Sequence, residues 1–100
     1  MIKHIVMWKF KDFANGKSKL ENAMEMKSKL ESLVGEIDVL HSLEVGINNI
    51  NSESSYDMVL TTTFDNENDM KSYAKHPSHL KVSEFCKSIR ISRVCVDYYF

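Results

Sequence analysis

Two of the four histidines and the only proline of the chain fall in one stretch, Ser72-Tyr73-Ala74-Lys75-His76-Pro77-Ser78-His79. Proline lacks a backbone donor and disfavours helix at the residue before it, so a helical pattern should break at His76, leaving both imidazoles near the bend. An unperturbed His79 would titrate near neutrality, which makes it a candidate base for a carbon-bound proton next to a carbonyl. Tyr73 is a candidate hydrogen-bond donor to the enolate oxygen that would develop. Tyr73 precedes the break and His79 follows it, so both can face a space between helices and sheet. Structural roles stand beside these: Tyr73 as a core aromatic with a wet hydroxyl, and His79 bonded to the broken backbone around Pro77.

The remaining candidates are fewer. His4 lies in an apolar strand, where a satisfied core histidine competes with a ligand-binding one, and Trp8 on the same strand reads as core or pocket wall. His76 reads as an exposed residue before proline, and His41 is given no role. A metal trio of His4, His76 and His79 lacks an acidic ligand at suitable spacing, so no metal is expected. The six methionines, Met58 among them, are suited to filling core gaps. Cys86 and Cys95 have no partner at zinc-type spacing and read as reduced thiols. With no glycine-rich phosphate loop, nucleophile elbow or CxxC motif, no cofactor is expected.

The elements that must position these residues follow from periodicity. Ile2 to Phe10 reads as a strand with Ile2, His4, Val6, Trp8 and Phe10 on one face. Asp12 to Gly16 reads as a loop. Ser18 then caps a helix with Leu20, Ala23, Met24, Lys27, Leu30 and Val34 on its apolar side, and Gly35 closes it. Val39 to Ile47 is a second strand, Asn48 to Ser55 a polar loop, and Tyr56 to Phe64 a third strand closed by Asp65 as a helix cap. A helix with Met70, Tyr73 and Ala74 runs to the bend. After Pro77, Leu80, Val82, Phe85, Cys86 and Ile89 make a second short helix. Ser92 to Phe100 is the last strand.

The order β-α-β-β-α-β predicts a single α+β domain over residues 1–100 of ferredoxin-like type: a four-stranded antiparallel sheet with helices on one face. The first and last strands carry apolar residues on both faces. At roughly 25 cal/mol per Å² of apolar surface, wetting the uncovered side would forgo several kcal/mol, so a symmetric homodimer with facing sheets is expected. Apolar residues make up 43% of the chain and charged residues 27%, with a formal net charge of -1. That balance gives no reason to expect nucleic acid or anionic membrane as a partner, and no apolar run reaches the length of a membrane span. A cytoplasmic protein is the expectation.

An ordered set of motifs adds to this reading. Met1-Ile2-Lys3-His4-Ile5-Val6, Leu43-Glu44-Val45-Gly46, Tyr56-Asp57-Met58-Val59-Leu60 with Thr63-Phe64, Tyr73 with His76-Pro77-Ser78-His79, and Val96-Asp97-Tyr98 together resemble the stress-responsive dimeric α/β-barrel (Dabb) family over nearly the whole chain. The resemblance implies a ferredoxin-like homodimer whose two sheets form a barrel. The family includes stress proteins, members of unknown activity and a polyketide cyclase. By motif, the cyclase's aldol pair falls on Tyr73 and His79, and its first-strand pocket histidine on His4. A third-strand histidine of the cyclase is replaced here by Met58, so Met58 becomes a candidate for the pocket wall alongside His4 and Trp8. Two readings follow: a dimeric stress-response protein that holds an apolar small molecule, or a cofactor-free lyase or cyclase using His79 as base and Tyr73 as donor. An open cavity of a few hundred Å³ lined by His79, Tyr73 and His4 would favour a working pocket over one filled by side chains.

Overall fold

A computed structural model describes residues 1–100. Strand β1 (Ile2–Phe10) is followed by a two-residue hairpin, β2 (Phe13–Ala14) and β3 (Lys17–Ser18), and then by helix α1 (Lys19–Glu31). Strands β4 (Ser42–Ile47) and β5 (Met58–Phe64), helices α2 (Glu67–Lys75) and α3 (Pro77–Ile89), and strand β6 (Arg90–Tyr99) complete the chain. The main sheet has the order β4-β5-β1-β6, every neighbour antiparallel. This is the ferredoxin-like α+β architecture, with the helical unit after β5 divided in two.

The division falls where proline demands it. His76 is extended at φ -62° and ψ 135°, and Pro77 occupies the first position of α3, where a missing N–H costs nothing. His76 also caps α3: its ring nitrogen accepts from the Ser78 N–H at 3.1 Å. The half-buried ring therefore serves the backbone, a role that an exposed residue before proline would not have.

The core lies between the helices and one sheet face, where Ile2, Val6, Trp8 and Phe10 of β1 meet Met58, Leu60 and Phe64 of β5. The helix side differs from expectation in α1. Ala23 and Leu30 are buried as read, with Met26 and Leu33, but Leu20, Met24 and Val34 are exposed. Apolar residues on two sides of α1 leave its orientation undecided by pattern. Ala23, Met26 and Leu30 pack into the core, and buried Asn22 donates to the Ala14 carbonyl at 3.0 Å and ties the helix to the hairpin. The hairpin itself is an Asn-Gly turn, with Asn15 at φ 55° and Gly16 at φ 75°, inside the segment read as loop.

Other boundaries shift by a few residues. Gly35 has the left-handed φ expected of it, 83°, but α1 ends earlier and Gly35 sits in the turns that carry the chain to Leu40. The second strand accordingly begins at Ser42. Asn66, not Asp65, caps α2 by accepting from the Asp69 N–H, and Asp65 instead pairs with His41 at 2.8 Å across the β4–β5 end. The far face of the sheet is uncovered and carries Met7, Val94, Val96 and Tyr98 in exposed positions. No helix is long and apolar enough to cross a membrane.

At the start of α1, Ser18 accepts from the Glu21 N–H while the Glu21 carboxylate accepts from the Ser18 N–H, a reciprocal capping box. Ser18→Ala should destabilise the domain by about 1 kcal/mol, a fall of roughly 4–8 °C in Tm at this size. An unchanged melting temperature would contradict the role of the cap.

Candidate functional site

One cavity opens between the helices and the sheet, and it is lined by residues from six elements. Strand β1 contributes His4, Val6 and Trp8, which alternation sends to the helix side. Antiparallel register sets Asp97, Cys95 and Arg93 of β6 directly beside them, and Leu60 of β5 beside Val6 on the other flank. Helix α1 supplies Met26 and Leu30, and α2 supplies Tyr73. Helix α3 supplies His79, Val82, Ser83 and Cys86, a single stripe at three- and four-residue steps that Arg90 extends into β6. The volume is about 230 Å³.

The Pro77 break brings Tyr73 and His79 together. Their rings lie 4.5 Å apart, centroid to centroid, tilted by 51°, and Tyr73 also packs at 5.1 Å on Phe64. His79 Nδ1 lies 3.1 Å from the Ala74 carbonyl oxygen. A carbonyl only accepts, so Nδ1 carries the proton and the neutral ring keeps Nε2 as a proton acceptor. The structural and chemical readings of His79 are therefore compatible: the bond that spans the broken helix also selects the tautomer a base needs. Burial holds the His79 pKa below the usual histidine value. The Ala74 hydrogen bond opposes the shift, while the charges of His4, Arg93 and His76 add to it.

Tyr73 is almost fully buried, and burial pushes its phenol up to about 12, Arg93 offsetting part of the shift. It stays protonated at physiological pH and is available as a hydrogen-bond donor. Its hydroxyl has no partner within the protein, and neither has the indole N–H of buried Trp8. An unpaired buried polar group costs about 1–3 kcal/mol, so the cavity wall holds two polar groups in want of an acceptor. His4 is held by the Asp97 carboxylate, to which its Nδ1 is bonded. Burial raises the Cys86 thiol, partly offset by nearby Arg90, so it is no thiolate nucleophile at neutral pH.

Among the residues singled out from the sequence, His4, Trp8, Tyr73 and His79 share this cavity. Met58 does not line it: buried and paired in register with Trp8, it borders a separate opening with Met7, Ile47 and Tyr56. His76 is committed to its cap, and no group of three or more His, Cys, Asp or Glu side chains gathers as a metal site. Arg90 and Arg93 also line the cavity, which no motif in the sequence announces. The signal was the stripe from His79 through Cys86 to Arg90, and the phase of Arg93 opposite Trp8.

Comparison with known proteins agrees with this architecture. Residues 2–100 match the family model of the Stress responsive A/B Barrel Domain. A stress-response A/B barrel domain-containing protein of Arabidopsis thaliana is 33% identical over 82 residues, covering 82% of this chain and 30% of that protein. The chain thus spans about a third of the length of that curated relative. A dimeric protein of unknown function and ferredoxin-like fold from Bacteroides fragilis superposes with a TM-score of 0.87 at 36% identity, over 99% of this chain and 95% of that one. The hydroxynitrile lyase of Passiflora edulis shares the fold at a TM-score of 0.79 and 15% identity, over 99% and 92% of the two chains. With the family model matched across nearly its whole length, this chain belongs to the stress-responsive A/B barrel domain family.

Proposed function

We propose that the protein is a homodimeric small-molecule-binding protein whose cavity receives a compact, largely apolar carbonyl compound. The observation that carries this is the open cavity of about 230 Å³ with Tyr73, His79 and His4 on its wall. A pocket of this size falls below the range of roughly 300–1,000 Å³ usual for drug-sized ligands and suits a small molecule. The unpartnered donors of Tyr73 and Trp8 would be satisfied by ligand oxygens. The dimer rests on the uncovered apolar sheet face and on the dimeric Bacteroides fragilis relative. Sedimentation should give a dimer at micromolar concentration, and a monomer there would overturn that part of the reading.

A second reading, cofactor-free lyase or cyclase chemistry, is favoured by the His79 tautomer. The Nε2 lone pair would take a proton from the carbon next to the carbonyl. The C–H electron pair would pass into the new carbon–carbon double bond, and negative charge would collect on the oxygen. The Tyr73 hydroxyl would donate to that oxygen, and the imidazolium would return the proton to the product.

Proton abstraction can be read directly as deuterium exchange into the methyl group of acetophenone in heavy water. The protein should accelerate exchange, and His79→Ala should lower the rate by about 100-fold or more while leaving the dimer intact. Full exchange activity in that variant would dispose of the mechanism but leave ligand binding standing. His79 acts as a base only when neutral, and its pKa is depressed. The acid limb of the rate profile should therefore have its midpoint below the ordinary histidine value of about 6.5, and a midpoint above it would contradict the assignment.

A further inference from the structure

The charge on the cavity wall is one-sided. Arg90 and Arg93 are the only arginines in the chain, and both line this cavity. Neither takes part in any of the ion pairs of the structure, whose cations are lysines and histidines. No aspartate or glutamate lines the cavity, and the nearest acid in register, Asp97, is occupied by His4. The neutral groups point the same way: Trp8 has only a donor to offer, and the Tyr73 hydroxyl is buried without a partner. Arg93 is close enough to His79, Tyr73 and Cys86 to act on the titration of all three. Two cations and two unpartnered polar groups thus surround a small space with an apolar floor of Val6, Leu30 and Leu60.

Resting on the reading of this cavity as a small-molecule site, we infer that its ligand is a small organic anion. Its carboxylate is held by Arg90 and Arg93, and its apolar body lies against the floor. Guanidinium is planar, always charged, and presents paired N–H groups that match a carboxylate's two oxygens. Arg90 is half-buried at the α3–β6 junction and Arg93 is exposed on edge strand β6, so the anionic end sits toward β6 and the body toward Tyr73 and His79. A carboxylate anchored there would leave a carbonyl elsewhere in the same molecule free to meet the Tyr73 hydroxyl.

The test uses matched pairs of probes, phenylacetate with phenylacetamide and propionate with propionamide, which differ in charge and little in shape. Trp8 is the only tryptophan and lies in the cavity wall, so its fluorescence reports occupancy. The carboxylate of at least one pair should bind about tenfold or more tightly than its amide, as expected for a charge-assisted pair, and Arg93→Gln should erase the preference. Equal binding of acid and amide would overturn the charge selection while leaving the cavity a ligand site. Failure of all four probes to bind would count against both. A preference that survives in Arg93→Gln and in Arg90→Gln would overturn the arginine assignment. So would an Arg93→Gln protein that turns monomeric where the parent is a dimer, since the charge would then serve the interface.

Discussion

The hydrogen bond from His79 across to the Ala74 carbonyl organises the functional half of the molecule. Pro77 cannot continue a helix from the residue before it, and the break leaves carbonyls at the end of α2 without their usual partners. The His79 ring supplies one. By bridging the gap it sets α3 against α2, seats its imidazole on the Tyr73 ring at 4.5 Å, and places a defined tautomer on the wall of the cavity. The His76 ring does the complementary work on the other side, capping α3 through the Ser78 N–H. Two histidines around one proline thus share the repair of the backbone, and only one of them is left with a face toward the cavity.

The sheet has two faces with different tasks. Toward the helices, alternation along β1 and antiparallel register along β6 bring His4, Val6 and Trp8 beside Asp97, Cys95 and Arg93. On the far face the same strands present Met7, Val94, Val96 and Tyr98 to the outside. On the proposed reading the helix side carries the ligand site and the far side the association surface. Because β6 is an edge strand, its Arg93 stands at the boundary between covered core and open edge, where a guanidinium keeps part of its hydration and still reaches inward.

Much of this was legible in the residues alone, and the exceptions share a cause. The strict alternation in β1 announces its inner face, and Pro77 announces the helix break to the residue. Helix α1 resists orientation by pattern because the apolar Leu20 and Met24 stand on a different side from the buried Ala23, Met26 and Leu30, and Val34 falls in the turns after the helix. Buried Asn22 lies on the face that packs inward, and its hydrogen bond to the preceding hairpin leaves no mark in an apolar pattern. The same limit hid the arginines. Arg90 and Arg93 look like ordinary surface cations until α3 is wound and β6 is set in register, at which point both arrive at one cavity. Met58 is the reverse case: family resemblance points to the pocket wall, but its side chain packs in the core beside Trp8 and borders a separate opening.

Nitrogen-15 NMR of the imidazole reads whether the Ala74 carbonyl selects the proton-accepting form of His79. At pH 7 the His79 ring should show a protonated Nδ1 and an unprotonated Nε2. A ring that instead carries its proton on Nε2, or exchanges freely between the two nitrogens, would contradict it.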